Sequence, residues 1–188
     1  MRKSLSLLAL AATLSTGAIA ADYAIDPTHT FATFEIDHFG ATVNRARFDK
    51  KEGSVSFDKA AKTGKVDISF DTASVNSGTA AFDKHLQSDE VLNSAKYPKA
   101  RFVSEKFVFK GDKVSEVVGQ LTLLDKTQPV TLKANQFNCY ESPMLKREVC
   151  GGDFETTIDR TAFGVSYGVD WGFPKNVRLV LQVEAVKQ

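Results

Sequence analysis

The sequence predicts an all-β protein, an antiparallel sheet of about eight strands with one short helix. Two observations carry this. Hydropathy alternates with a period of two over most of the chain, and short polar turns separate the alternating runs. A third observation narrows the class further. No later stretch approaches the roughly 18 apolar residues of a membrane-spanning helix, so the protein is expected not to be transmembrane.

The first segment, MRKSLSLLALAATLSTGAIA, is expected to be cleaved from the mature protein. Arg2 and Lys3 give a basic start, Leu5 to Leu14 an apolar run, and Ala18-Ile19-Ala20 a small-x-small cleavage site. Residues 1–20 therefore read as a secretory signal peptide, and 21–188 as one domain of a periplasmic or secreted protein. Without Arg2 and Lys3, the 24 basic side chains become 22 against 23 acidic ones. A balance this near zero gives no long-range attraction to nucleic acid.

Alternation begins with Ala32, Phe34 and Ile36 against Thr33, Glu35 and Asp37. Val55 and Phe57 follow, then Val66, Ile68 and Phe70 opposite Lys65, Asp67, Ser69 and Asp71. The stretches 100–109, 114–124, 129–137 and 152–159 are extended and rich in Phe, Val and Thr. Val177, Leu179, Leu181, Val183 and Ala185 complete the set. Turns are expected at 62–64, 110–113 and 125–129, and connections this short favour antiparallel neighbours. Only 80–94 departs from the pattern: Phe82, Leu86 and Leu92 recur near helical spacing and predict the short helix. Such a sheet closes into a barrel or stacks into a sandwich. Its inward set is rich in Phe, which either fills the centre or lines an apolar tunnel.

Cys139 and Cys150 are the two cysteines of the chain, close in sequence and in the exported part. They have neither C-x-x-C spacing nor neighbouring ligands, so a structural disulfide is expected. The three histidines, His29, His38 and His85, fit no local metal-binding spacing. His29 reads as a hydrogen-bonded turn residue beside Asp26, His38 as a polar strand-end residue, and His85 as a residue that caps or faces the helix.

Gly164-Val-Ser-Tyr-Gly168 matches G-x-S-x-G, the nucleophile elbow of one hydrolase class. That elbow needs a following helix and a later histidine. The chain after Ser166 offers Gly168, Gly172, Pro174 and a strand, and every histidine lies upstream. Ser166 is expected to be a turn or strand residue beside an aromatic bend. No catalytic residue is expected, and the protein reads as a non-enzyme.

Several stretches together resemble the YceI-like, polyisoprenoid-binding family. YAIDPTHTFATFEIDHFGAT is similar to its first strands, and the Asp83-Lys-His85-Leu86 segment with the later Tyr97-Pro98 to its centre. GQLTLLDKTQPVTL resembles its Thr-x-Pro-Val-Thr-Leu hairpin, and TTIDRTAFGVSYG its Ile-x-Arg-x-x-Phe-Gly-Val segment. The chain departs from the pattern at Phe82, at Ala46 and at Leu124-Asp125, where the family usually has Arg, Gly and His-Gly. The resemblance implies a lipocalin-like, eight-stranded extended antiparallel β-barrel. It further implies an interior that binds a long-chain isoprenoid lipid, either an isoprenoid quinone such as ubiquinone or a polyprenyl lipid, with no other cofactor required. A homodimer is also plausible from the family. Alternation on successive strands then nominates Phe34, Ile36, Phe57, Ile68, Phe70, Phe102, Leu121, Leu132 and Phe154 as lining residues. Phe82, Leu86 and Trp171 are expected to close an end. The rival readings are an interaction or adhesion protein with a filled barrel, and an enzyme acting on an apolar substrate.

Overall fold

The computed structural model describes residues 20–188, and the expected leader lies outside this range but for Ala20. Eleven strands follow: β1 (Ala21–Ile25), β2 (Phe31–His38), β3 (Thr42–Phe48), β4 (Lys51–Asp58), β5 (Thr63–Asp71), β6 (Val75–Asn76), β7 (Lys99–Lys110), β8 (Lys113–Leu123), β9 (Lys126–Glu141), β10 (Glu148–Asp159) and β11 (Asn176–Lys187). One α-helix, α1 (Ala80–Gln87), lies between β6 and β7.

The eleven make eight staves, because three staves are broken in two. β1 and β2 are halves of one stave: β11 pairs with β1 through Ile25↔Ala185 and with β2 through Ala32↔Leu181. β4 and β3 face them in turn, and β6 continues β5 alongside β3. Every stave pairs antiparallel with the next in sequence, and β11 returns to the first, which closes the barrel. Closure removes the exposed edges of an open sheet. The break at Asp26–Thr30 is a corner in which the Asp26 carboxylate accepts the Thr28 N–H and a His29 ring hydrogen bond, both at 2.7 Å. β9 runs for 16 residues, roughly 50 Å at the usual rise per residue, so the barrel is elongated.

Some turns and the helix differ from the sequence expectation. The β8–β9 turn is only Leu124-Asp125, with φ of 50° and 58°. The strands run on through 126–129, and Pro129 lies within β9. β10 pairs with β9 only from Lys133 onward, so Pro129 sits where β9 has a single neighbour, a place that tolerates a missing N–H. Likewise Thr63 and Gly64 belong to β5 rather than to a turn. The helix stops at Gln87 instead of reaching residue 94, because Ser88 turns extended and its hydroxyl takes the His85 carbonyl at 2.7 Å. Leu92 still reaches the core, from a turn whose Leu92 N–H donates to the Leu86 carbonyl.

Two left-handed residues in a two-residue hairpin suit Asn-Gly, not Leu-Asp. Leu124→Asn with Asp125→Gly is therefore expected to stabilise the protein by about 1 kcal/mol, read as a melting point higher by roughly 2–4 °C. An unchanged melting point would show that the turn carries no strain.

Bulges on β7 and β9 help set which side chains face inward. On β7, register shifts between Ser104 and Lys106, and the Ser104 hydroxyl takes the Val118 carbonyl at 2.6 Å. The extra residue moves the inward set from Phe102 and Ser104 to Phe107 and Phe109. On β9, Asn135 is the extra residue, and the inward set passes from Leu132 and Ala134 to Phe137 and Cys139. One end of the barrel is thereby filled. Phe57 contacts Phe107, Phe109 and Phe137 with ring centroids 5.6–6.2 Å apart. Gly64 leaves room for the Phe107 ring, which a Cβ there would meet at 2.5 Å.

Cys139 and Cys150 are register partners on β9 and β10 and form a disulfide, with eleven residues of sequence separation. Replacing both by alanine is expected to cost about 3 kcal/mol and lower the midpoint by roughly 6–12 °C. Equal melting of the two proteins would show that the hairpin's hydrogen bonds hold this end alone.

Outside the barrel, Glu35 lies directly opposite both Arg45 and Arg178 on its two neighbouring strands. It accepts from them at 2.9 and 2.7 Å, and these two bonds, Arg45 first, hold its carboxyl below the usual range. A depressed pKa contributes stability above the unfolded value, about 4.3, which is lost as pH falls through the folded value. The melting-point gap between the parent and Glu35→Gln should therefore be present at neutral pH and shrink below about pH 4.

Candidate functional site

The opposite end of the barrel is hollow. A cavity of about 410 Å³ opens between α1, the β2–β3 turn and the β10–β11 loop. Of the residues nominated from sequence, Phe34, Ile36, Phe70, Phe82, Leu86, Phe102, Leu121, Leu132 and Trp171 line it. Phe57, Ile68 and Phe154 do not. They surround a separate void of about 70 Å³ toward the filled end. Their places on β4, β5 and β10 put these three on the far side of a floor. Phe102, Leu132 and Leu181 line both spaces and form that floor. The inward phenylalanines thus do both things the sequence left open, filling one end and lining the other.

Local sequence explains the mouth. In α1, Phe82 and Leu86 are four residues apart and point to one side, toward the barrel. Asp83 fixes the helix start by accepting the Ser77 N–H and hydroxyl, each at 2.6 Å. Leu86 packs in a cluster with Ala46, Val75 and Leu92, where the small Ala46 side chain is 3% exposed. The β10–β11 loop bends at Gly164, Gly168 and Gly172, with φ of 91°, 74° and 85°, which only glycine adopts readily.

These bends explain the G-x-S-x-G match. Ser166 is exposed in an irregular turn, its carbonyl accepting the Val169 N–H at 3.1 Å. Each histidine is engaged elsewhere. His29 bonds Asp26, as expected of a turn residue. His38 ends β2 and packs edge-on against Phe39 and Phe173, at 5.2 and 5.9 Å. His85 lies in α1, with its ring 4.6 Å from that of Tyr167.

The lip is aromatic. Trp171 is 67% exposed and Phe39 57% exposed, and Tyr167 meets Trp171 at 5.3 Å. Among the described residues no carboxylate lines the cavity, and the titratable groups there are His38, His85, Tyr167 and Arg160. His85 approaches Glu90 at 3.7 Å, but both side chains reach solvent. Asp26, His29 and Glu184 lie together on the outer surface, where His29 is already bonded to Asp26.

Sequence reasoning missed several lining residues. Phe48, Leu123 and Ile158 lie in strands, where extending the alternation would have found them. Phe39, Val165, Phe173 and Arg160 sit in or beside loops, where no period applies. Arg160 begins the 3₁₀ turn after β10 and is buried. Its Nε donates to the Pro174 carbonyl at 2.8 Å and one terminal nitrogen to the Val165 carbonyl at 3.1 Å. Burial pushes the guanidinium pKa down, with the Asp159 charge opposing.

A closed up-and-down antiparallel barrel, plugged at one end and opening at the other onto an apolar cavity, defines a lipocalin-like architecture. A family model described as the YceI-like domain matches residues 23–185, and the chain belongs to that family. It is 37% identical over 197 residues to a UPF0312 protein of Shewanella denitrificans, covering both chains fully. A UPF0312 protein of Pseudomonas savastanoi is 42% identical over 170 residues, 88% of each chain. Among solved structures, the fold is similar to the Campylobacter jejuni YceI protein, with a TM-score of 0.72 and 23% identity over 81% of this chain and 90% of that one. It is also similar to a polyisoprenoid-binding domain from Saccharophagus degradans, with a TM-score of 0.64 and 14% identity over 91% and 100%.

Proposed function

We propose that this protein is exported and holds the tail of a long-chain isoprenoid lipid in the open half of its barrel. The single observation that carries the reading is the apolar cavity of about 410 Å³, lined by Phe34, Phe70, Phe102 and Leu132 and edged by exposed aromatics. Its size falls in the range of small-molecule sites, roughly 300–1,000 Å³. The polyisoprenoid-binding domain of similar fold lends the ligand class.

Burial alone supplies enough free energy. Each methylene seated in the cavity contributes about 0.8 kcal/mol, so ten of them represent roughly 8 kcal/mol of gross transfer. Ordering the chain and opening the mouth offset part of it. No bond needs to be made or broken. An isoprenoid quinone such as ubiquinone and a polyprenyl lipid both meet these terms, and the leader at 1–20 favours a periplasmic site of action.

The test is unbiased extraction of the protein purified from its exporting host, followed by mass spectrometry. Recovery of a prenyl lipid, on a protein whose first residue is Ala21, is the expected result. No lipid in repeated extracts, together with no uptake of added quinone, would overturn the reading.

A further inference from the structure

Within the cavity wall one polar group is unlike the rest. Arg160 is 6% exposed, yet its second terminal nitrogen, Nη2, is buried with no hydrogen-bond partner. Its other two nitrogens, Nε and Nη1, each donate to a backbone carbonyl, those of Pro174 and Val165. No carboxylate forms an ion pair with it among the described residues. The neighbouring Asp159 instead accepts the Thr161 N–H and hydroxyl, at 2.8 and 2.6 Å, capping the 3₁₀ turn. Among the described residues, Arg160 is also the one arginine or lysine that lines the cavity.

A buried donor left unmade costs free energy, and a buried cation without an anion costs more. The bonds from Nε to the Pro174 carbonyl and from Nη1 to the Val165 carbonyl tie the loop, and they leave Nη2 without a partner. A ligand offering an acceptor oxygen at this depth would supply one. Phe173, which lines the same cavity, stacks with its centroid 5.4 Å from the guanidinium carbon. It follows Gly172, whose left-handed backbone ends the short turn before it.

We propose that Arg160 is the headgroup anchor of the cavity: its free Nη2 donates to an acceptor oxygen of the bound lipid, with Phe173 turning aside to admit it. The ligand class is thereby narrowed from an apolar chain to an amphiphile with a carbonyl or phosphate oxygen at one end. Apolar burial gives affinity, and Arg160 gives choice of headgroup and the orientation of the chain, tail toward the Phe102 floor. This rests on the lipid-binding reading above.

The test compares one geranylgeranyl chain carrying a phosphate, a benzoquinone ring, or no headgroup at all. The parent protein is expected to bind a headed chain about 10- to 100-fold tighter than the headless one, the range of a hydrogen bond to a charged donor. In Arg160→Met the ratio of headed to headless affinity should close to about twofold, whatever headless binding loses with the two loop bonds, and Arg160→Lys should restore part of the ratio. Which headed chain binds tighter tells a phosphate ligand from a quinone. Should the variants fail to fold, nitrogen NMR of the parent's arginine side chains serves instead. Headed chains should shift the Arg160 Nη2 signal, and the headless chain should not. Equal binding of all three chains with no such shift would overturn the anchor and leave lipid binding standing. Uptake of none of them would overturn both.

Discussion

Replacing Ala100 by phenylalanine is expected to abolish uptake of a prenyl chain while the barrel stays folded. Ala100 is buried at the start of β7, opposite Phe70 on β5, and its side chain forms part of the cavity wall. A ring at this position projects into the space the tail would occupy. Overpacking costs roughly 1–3 kcal/mol in a filled core, but here the added atoms enter a void, so the stability loss should fall at the low end. Binding should weaken at least 100-fold, about 2.8 kcal/mol at 1.4 kcal/mol per tenfold. Titration of a fluorescent prenyl probe, paired with a thermal melt, reads both quantities. Unchanged affinity in a folded variant would place the ligand elsewhere.

Phe102→Ala should do the reverse, enlarging the site at a heavy cost in stability. Phe102 is 4% exposed and lines both the main cavity and the smaller void. Gly119 on β8 lies beneath its ring, where a Cβ would come within 2.6 Å of Cζ. Removing the ring breaches the floor and joins the two spaces. The expected destabilisation is about 3–5 kcal/mol, the range for losing a buried phenyl. Longer prenyl chains should gain affinity relative to shorter ones, because methylenes then find room beside Phe57, Ile68 and Phe154. A denaturant series gives the first number and a chain-length series the second. An unaltered length preference would mean that the tail never reaches the floor.

Much of this was legible in the sequence, for a definite reason. Side chains of a strand alternate between faces whatever the strand pairs with, so Phe34, Ile36, Phe70 and Leu132 announce an inward face locally. The same holds for Phe82 and Leu86, four apart on one side of a helix. Short turns gave the antiparallel order, and the cysteine pair gave the staple that joins β9 to β10.

Other features depend on partners distant in the chain. A bulge is defined by two residues on one strand facing one on its neighbour, and Glu105 and Asn135 look ordinary until β8 and β10 lie beside them. Those two insertions turn Phe107, Phe109 and Phe137 inward as a plug packed on Phe57. The corner at Asp26–Thr30 needs β11 on both sides of it to show that β1 and β2 are one stave.

The sequence by itself determined the sheet, its inward phenylalanines and its disulfide, since each follows from local periodicity or from two cysteines close in the chain. Only the tertiary structure decided which phenylalanines leave a hollow and which close it. It alone placed Arg160 in the wall, because burial and an unpaired donor are properties of the surroundings and not of the residue.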